Sequence, residues 1–146
     1  LADLHKYNEA ITLFDKVLAV DPNDVKTLTN KGNVLDTLGK HQEAIQYYDK
    51  ALDLEPNDVI ALENKGSTLY LLGKYNQAIV YYDKALTLDP RNVDTLTNKG
   101  FALAALHKYS EAIKYYDKAL TIEPTLQYAI DGKRLSLQAL NQTQIK

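Results

Sequence analysis

The side chains that could take part in chemistry are dispersed along the chain and form no catalytic motif. The three histidines each flank a predicted turn in a different part of the sequence: His5, His41 and His107. Three aspartates recur on a predicted outer face, where we expect them to be solvated: Asp49, Asp83 and Asp117. The sequence holds no cysteine, no glycine-rich phosphate loop, no nucleophile elbow and no metal-ligand spacing. We therefore expect no enzymatic activity, no catalytic residues, no cofactor and no metal ion.

The composition favours a soluble protein and argues against several classes of partner. The 146 residues are 45% hydrophobic and 25% charged, which is enough apolar content for a core of its own. A formal net charge of -2 and a pI near 5.9 leave no basic field for nucleic acid or an anionic membrane. No run of about 18 apolar residues is present, and positions 1–14 lack a signal-peptide pattern. The absence of cysteine fits a reducing compartment, so we expect a cytoplasmic location.

A repeat of fixed length organises the sequence. The string Tyr-Tyr-Asp-Lys-Ala-Leu begins at Tyr47, Tyr81 and Tyr115, so that each copy lies 34 residues after the last. The string Thr-Leu-Thr-Asn-Lys-Gly occurs at 27–32 and again at 95–100, and prolines at 22, 56, 90 and 124 keep the same spacing. Self-similarity at such a period is typical of helical-repeat architectures.

Each repeat unit reads as two amphipathic helices separated by turn residues. The first helix is predicted at 25–38 and the second at 41–54, each with an apolar face at helical spacing. Gly39 and Gly73 follow the first helix, where a left-handed residue must close the turn. His5 and His107 occupy that position in the outer units, and histidine tolerates positive φ better than most residues. The prolines stop the second helix, and the Asn-Asp pairs at 23–24 and 57–58 can cap the next one.

Small residues recur where two helix axes must approach closely. Glycine stands at 32, 66 and 100 on the first helices, and alanine at 44, 78 and 112 and at 51, 85 and 119 on the second. Together with the period and the prolines, this pattern resembles the tetratricopeptide repeat over nearly the whole chain. The resemblance implies an all-α fold, a right-handed α-solenoid of stacked antiparallel helix-turn-helix hairpins with a C-terminal capping helix. The single domain 1–146 would comprise the second half of a truncated repeat at 1–24, complete repeats at 25–58, 59–92 and 93–126, and a capping helix and tail at 127–146.

The N-terminal end is expected to lack a partner helix. The sequence contains no methionine and opens with Leu1, so we expect the native start to lie upstream. Because each hairpin buries its apolar face only against its neighbours, Ile11, Phe14 and Leu18 should be incompletely covered. An exposed apolar cluster at this truncated end would favour a homo-oligomer.

The resemblance implies that the first helices line an inner, concave groove, where a partner would bind. The predicted peptide-binding residues are Lys26, Asn30, Asn33, Glu63, Asn64, Ser67, Tyr70, Leu71, Asp94, Asn98 and Phe101. By the same register, the groove would also present Thr29, Asp36, Ile60, Thr97, Ala104, Ala105, Tyr128 and Asp131.

Asparagine recurs two residues before each repeated glycine, at Asn30, Asn64 and Asn98. A carboxamide donates and accepts hydrogen bonds at once, which suits the backbone of an extended peptide. Alternatively, these side chains bond to neighbouring helices and hold the repeat register. Three hydrogen bonds of about 0.5–1.5 kcal/mol each fall short of a micromolar complex, so an apolar anchor is also needed. Five groove residues could supply that anchor, or could instead be covered by packing: Tyr70, Leu71, Phe101, Ala104 and Ala105.

The charges in the groove favour one class of peptide over another. Some members of the family hold the acidic C-terminus of heat-shock chaperones with a clamp of cations and asparagines. In this chain Asn33 and Asn64 match that clamp, whereas Thr29, Asp94 and Asn98 replace its three cations. The expected partner is therefore a protein or peptide in an extended, neutral or basic segment.

Two other repeated residue types are expected to be structural. Lys31, Lys65 and Lys99 should cover the core with their stems while their ammonium groups reach water. The tyrosine pairs at 47–48, 81–82 and 115–116 should fill space between helices, with one partly exposed hydroxyl in each pair.

The main rival to a peptide-binding scaffold is an assembly module. In that interpretation the ends of the array or its convex face join copies of the chain or dock a neighbouring domain. A helical-repeat RNA reader is a more distant alternative, because such proteins need cationic grooves that this sequence lacks.

Overall fold

The computed structural model describes residues 2–145, and these residues form eight α-helices and no strand. The helices are α1 (Ala2–Val20), α2 (Val25–Thr37), α3 (His41–Leu54), α4 (Val59–Leu71), α5 (Tyr75–Leu88), α6 (Val93–Ala105), α7 (Tyr109–Ile122) and α8 (Gln127–Gln144). The all-α fold of consecutive helical hairpins predicted from the sequence is confirmed.

Side-chain caps start the first helix of each repeat. Asp24 accepts a hydrogen bond from the backbone N–H of Thr27 at 2.7 Å, and Asn92 accepts one from Thr95 at 2.9 Å. The Asp58 carboxylate accepts the equivalent bond at the start of α4. Each cap satisfies one backbone N–H that the helix itself leaves without a partner. The capping role predicted for the Asn-Asp pairs is confirmed, with aspartate as the acceptor.

Left-handed residues close the turns that follow three of the first helices. Gly39 has φ of 77°, Gly73 has 73° and His107 has 61°, so His107 takes the turn conformation predicted for it. The equivalent prediction for His5 is wrong, because His5 lies inside α1 and pairs with Glu9 one helical turn later at 3.0 Å. The backbone of His5 is helical and lacks the positive φ that closes such a turn.

The chain divides into two compact units, the first ending at Thr68 and the second beginning at Leu69. In the first unit α1 packs on α2, and α2 forms a hairpin with α3. In the second unit α5 packs on α6, α6 forms a hairpin with α7, and α8 packs on α7 and α6. The buried clusters of the first unit centre on Leu28, Ala51 and Ala61 and on Leu35, Ala44 and Tyr48. Those of the second centre on Leu96, Ala119 and Ala129 and on Leu103, Ala112 and Tyr116.

Glycine and tyrosine set the closest approach inside two hairpins, α2 with α3 and α6 with α7. A Cβ atom on Gly32 would stand 2.6 Å from the Tyr48 ring, and one on Gly100 would stand 2.5 Å from the Tyr116 ring. Both rings are fully buried. The close helix approach predicted at Gly32 and Gly100 is therefore confirmed, and the space that glycine leaves is filled by an aromatic ring of the partner helix.

The ammonium groups of the repeated lysines were predicted to reach water, and this prediction is wrong. Lys31 and Lys99 are buried, and each donates hydrogen bonds to a tyrosine hydroxyl and to an aspartate of the preceding second helix. The lysine-to-aspartate pairs are Lys31 with Asp15, Lys65 with Asp49, Lys99 with Asp83 and Lys133 with Asp117. Burial acts to lower the pKa of Lys31, but the bonds to Asp15 and Tyr47 outweigh it, so that the pKa is raised. The aspartates predicted to be solvated, Asp49, Asp83 and Asp117, keep about half of their side-chain surface exposed, and an ammonium group lies within ion-pair distance of each.

The apolar face of α1 is partly exposed. Ile11, Phe14 and Leu18 are half-buried, which confirms the incomplete cover predicted for them. Val17 is 42% exposed, whereas its repeat equivalent Ala51 is fully buried.

Candidate functional site

The predicted binding residues of the first unit lie on two of its helices. On α2, Lys26, Asn30 and Asn33 are exposed. On α4, Glu63, Asn64 and Ser67 are half-buried. The polar face predicted for these helices is therefore accessible to a partner.

The predicted binding residues of the second unit are more apolar. Tyr70 is half-buried and Leu71 is 60% exposed at the end of α4. On α6, Asp94 is exposed, and Asn98 and Phe101 are half-buried.

Three residues that the repeat register assigned to the groove are not available to a partner, contrary to the prediction. Thr29 and Thr97 are buried, and the Thr97 hydroxyl donates to the backbone carbonyl of Val93 at 2.9 Å. These small side chains are covered because they lie at the edge of the packed face of their helices. Asp36 is engaged by the His41 ring, with 2.6 Å between Oδ1 and Nδ1.

The three repeated asparagines keep their carboxamides unengaged. Within residues 2–145, no hydrogen bond links the side chain of Asn30, Asn64 or Asn98 to another residue. The alternative that these side chains hold the repeat register through hydrogen bonds thus receives no support. Each carboxamide retains its donors and its acceptor for another molecule.

A cavity of about 480 Å³ opens in the second unit beside α6 and α8. Its aromatic lining residues are Tyr70, Phe101, Tyr109, Tyr116 and Tyr128, and we call it the aromatic cavity. The remaining lining residues are Ala104, Ala105, Asp131, Gly132, Leu135, Ser136 and Ala139. Four of the five predicted anchor residues line this cavity: Tyr70, Phe101, Ala104 and Ala105. The fifth, Leu71, is not among the lining residues.

Packing within the second unit holds the walls of the aromatic cavity in place. The Phe101 ring packs on Tyr116 with centroids 5.6 Å apart, and Tyr70 packs on Tyr75 with centroids 5.3 Å apart. The Tyr116 hydroxyl is hydrogen-bonded to Ser136, and burial raises the pKa of Tyr116 to about 12. Such tilted aromatic contacts restrict ring movement, so the cavity is preformed.

Carboxylates supply the charge at the aromatic cavity. Asp131 is among its lining residues and accepts from Gln127 at 3.2 Å. The Tyr128 hydroxyl donates a hydrogen bond to Asp94, and this bond raises the pKa of Tyr128 to about 12. None of the described residues that line the cavity is a lysine, arginine or histidine.

Several residues that line this cavity were not predicted from the sequence. Tyr109 lines the cavity from the start of α7, which is the second helix of its repeat. The sequence predicted binding residues on the first helices and on α8. On α8, Gly132, Ser136 and Ala139 form a stripe of small residues at helical spacing beside the cavity. Two features of the sequence could have indicated these residues: the stripe of small residues, and the turn at His107 that precedes Tyr109.

Over residues 2–145, no group of three or more histidine, cysteine, aspartate or glutamate side chains is arranged to hold a metal ion. In the same part of the chain, no helix combines the length and apolar character needed to cross a membrane.

The chain resembles solved structures of helical-repeat proteins. MamA matches at 24% identity with a TM-score of 0.85, covering 96% of this chain and 76% of the MamA chain. The first TPR of Spaghetti (RPAP3), solved bound to the HSP90 peptide SRMEEVD, matches at 31% identity with a TM-score of 0.79, covering 83% of this chain and 96% of that chain. YrrB, described as a TPR protein with an unusual peptide-binding site, matches at 26% identity with a TM-score of 0.81, covering 91% of this chain and 69% of YrrB.

No curated protein matches the sequence. The sequence model of the tetratricopeptide repeat matches three consecutive segments, at residues 25–58, 59–92 and 93–126. These segments make up most of the chain, and their hairpins are those described above. The chain therefore belongs to the tetratricopeptide repeat family.

Proposed function

We propose that this chain is a protein-interaction scaffold that binds extended segments of a partner protein on the exposed faces of its first helices, α2 and α4 in the first unit and α6 in the second. Family membership supports the scaffold role. Two of the structural neighbours are associated with peptides, since Spaghetti is solved with an HSP90 peptide and YrrB is described by its peptide-binding site. The scaffold would have no catalytic activity of its own and would work in the cytoplasm.

The observation that carries the proposal is the unengaged state of Asn30, Asn64 and Asn98. They occupy the same position in three successive repeats. If their role were structural, we would expect their carboxamides to form hydrogen bonds within the protein. An extended backbone presents alternating N–H and C=O groups, which a carboxamide can meet from either side. Recognition of this kind does not depend on the side chains of the ligand.

The binding energy requires an apolar contribution as well. Three hydrogen bonds of about 0.5–1.5 kcal/mol each stay below the roughly 8 kcal/mol of a micromolar complex. One partner side chain buried on Phe101 and Tyr70 would add about 1.5–3 kcal/mol. The aromatic cavity offers such an anchor inside the second unit.

The charges of the candidate surface favour a neutral or basic segment. A terminal carboxylate placed on α4 would meet Glu63, and one placed on α6 would meet Asp94, and either side chain would repel it. We therefore expect the peptide SRMEEVD, which Spaghetti binds, to associate with this chain more weakly than a neutral peptide of the same length.

The experiment selects peptides from a displayed random library on the folded chain and titrates them calorimetrically. Changing Asn30, Asn64 and Asn98 together to alanine should weaken binding by at least about tenfold, because the backbone loses its hydrogen-bond partners. The matched control changes three exposed asparagines off this face, Asn8, Asn76 and Asn141, to alanine and should leave binding unchanged. Equal affinity of the two triple variants at unaltered helicity would rule out the proposed surface.

A second candidate, self-association through α1, is favoured by the exposure of its apolar face. Leu13 and Val17 are 60% and 42% exposed on this helix. Two copies that bury these side chains against each other would remove this apolar area from water. Light scattering should then show a dimer that Val17→Lys dissociates, while Thr12→Lys elsewhere on α1 has no effect. A concentration-independent monomer would exclude this candidate.

A further inference from the structure

We propose that the aromatic cavity binds a cationic side chain of the captured segment, arginine in preference to lysine. This inference rests on the proposed peptide binding and specifies the residue that anchors the peptide in the second unit. It follows from the kind of rings that form the walls, the sign of the charge beside them and the dimensions of the cavity.

The walls are chemically suited to a planar cation. Five aromatic residues line the cavity, and four of them are accessible, since Tyr116 is fully buried: Tyr70, Phe101, Tyr109 and Tyr128. The electron-rich face of such a ring attracts a cation, and a guanidinium can in addition stack flat against it. An ammonium group gains the first of these interactions but not the second, which is why arginine is preferred.

The charge beside the rings has the complementary sign. Asp131 lines the cavity directly, and Asp94 adjoins it through the hydrogen bond from Tyr128. The described lining residues include no cation that would repel the ligand. An anionic or purely aliphatic side chain would leave the Asp131 carboxylate without a partner from the ligand.

An internal contact already shows that Asp131 accepts a guanidinium. Arg134 lies one helical turn further along α8, and its Nη2 is 3.4 Å from Asp131 Oδ1. That distance is long for a charge-assisted hydrogen bond, and both side chains are about half exposed to solvent. A ligand arginine can therefore displace Arg134 at small cost.

The dimensions admit a long side chain. A volume of about 480 Å³ exceeds that of a single arginine side chain, so the adjoining peptide backbone also has room. Ala104 and Ala105 lie along one wall, where larger side chains would fill this space. The aliphatic stem of the ligand would lie against these alanines, with its charged end toward Asp131.

The first test uses small probes, so that it does not depend on peptide capture. N-acetyl-arginine methylamide and its citrulline and leucine counterparts are titrated into the full chain, and the ring resonances of Tyr70 and Tyr128 are followed by NMR. We expect the arginine probe to bind about tenfold more tightly than isosteric, uncharged citrulline. Asp131→Asn should abolish this preference, whereas Glu111→Gln, which removes an exposed charge from α7, should preserve it. Arg134→Gln should strengthen binding, because Asp131 then has no internal competitor.

The second test uses the peptides selected from a displayed random library. Enrichment of arginine at one position, lost in a selection on Asp131→Asn, supports the inference. Selected peptides with an aliphatic residue in place of the cation, or equal binding of the arginine and citrulline probes, would overturn it while leaving the proposed function intact. If no peptide is selected but the arginine probe still binds at Tyr70 and Tyr128, the cation site stands and the proposed peptide scaffold fails.

Discussion

Gly32 lies directly beneath the ring of Tyr48, with no room for a methyl group between them: a Cβ atom at residue 32 would stand 2.6 Å from Tyr48 Cε1. The Tyr48 ring is fully buried between helices and cannot swing aside. We therefore expect Gly32→Ala to lower the free energy of unfolding by about 1–2 kcal/mol, because overpacking outweighs the gain in helix propensity. Urea denaturation followed by circular dichroism measures this change. Thr37→Ala, at an exposed position of the same helix, should show no such loss, and a stabilised Gly32→Ala would contradict the packing described here.

Gly73 differs from Gly32 because no atom lies within 4 Å of a Cβ atom added there, so a side chain at residue 73 meets no steric clash. Its φ of 73° places it in the left-handed region, which an L-residue adopts only at a cost. Gly73→Ala should therefore destabilise the fold by about 1 kcal/mol through backbone conformation alone. Gly73→Asn should reduce stability less than Gly73→Ala does, since asparagine tolerates this region of φ better. Thermal unfolding of the two variants would contradict this account if alanine and asparagine had equal effects.

The buried ammonium of Lys99 predicts an asymmetry between the two partners of its ion pair. Lys99→Met keeps the apolar stem and removes the charge, so the loss of stability should be small. Asp83→Asn leaves the Lys99 charge with a weaker acceptor and should cost about 1 kcal/mol. In the double variant the effect of Asp83→Asn should largely disappear, which a double-mutant cycle in urea measures. Additive effects of the two substitutions would show that the pair makes no net contribution.

The raised pKa values of Tyr116 and Tyr128, both about 12, predict instability in alkali. The unfolded chain has tyrosine pKa values near 10, so the folded state holds these protons more tightly. Their contribution is fully present below about pH 10 and is lost as the pH rises toward 12. Helicity followed across this range should fall together with the appearance of phenolate absorbance. Tyr116→Phe should move the alkaline transition upward, and an unchanged midpoint would contradict a role for this phenol.

Much of the secondary structure could be predicted because it follows from local chemistry. The period, the capping carboxylates and the turn residues act through neighbours in the chain, so Asp24, Gly39 and His107 were correctly interpreted without coordinates. His5 was misinterpreted for the same reason. Its place in the repeat indicated a turn, but a turn forms only where two packed helices flank it.

The candidate site was only partly accessible from the sequence. Repeat register placed Asn30, Asn64 and Asn98 on the first helices, yet whether their carboxamides were consumed internally depended on what packs beside them. The lysines that follow them were wrongly expected to reach water, because their acceptors lie on other helices, an aspartate 16 residues earlier and a tyrosine 16 residues later.

The amino-acid sequence by itself determined the helices, their ends and the repeat, since these depend on periodicity and on contacts within a few residues. Only the tertiary structure decided which side chains meet across helices, as Tyr109 and Gly132 do at the aromatic cavity. The physical reason is that burial and ion pairing depend on distances between residues far apart in the chain, and packing sets those distances.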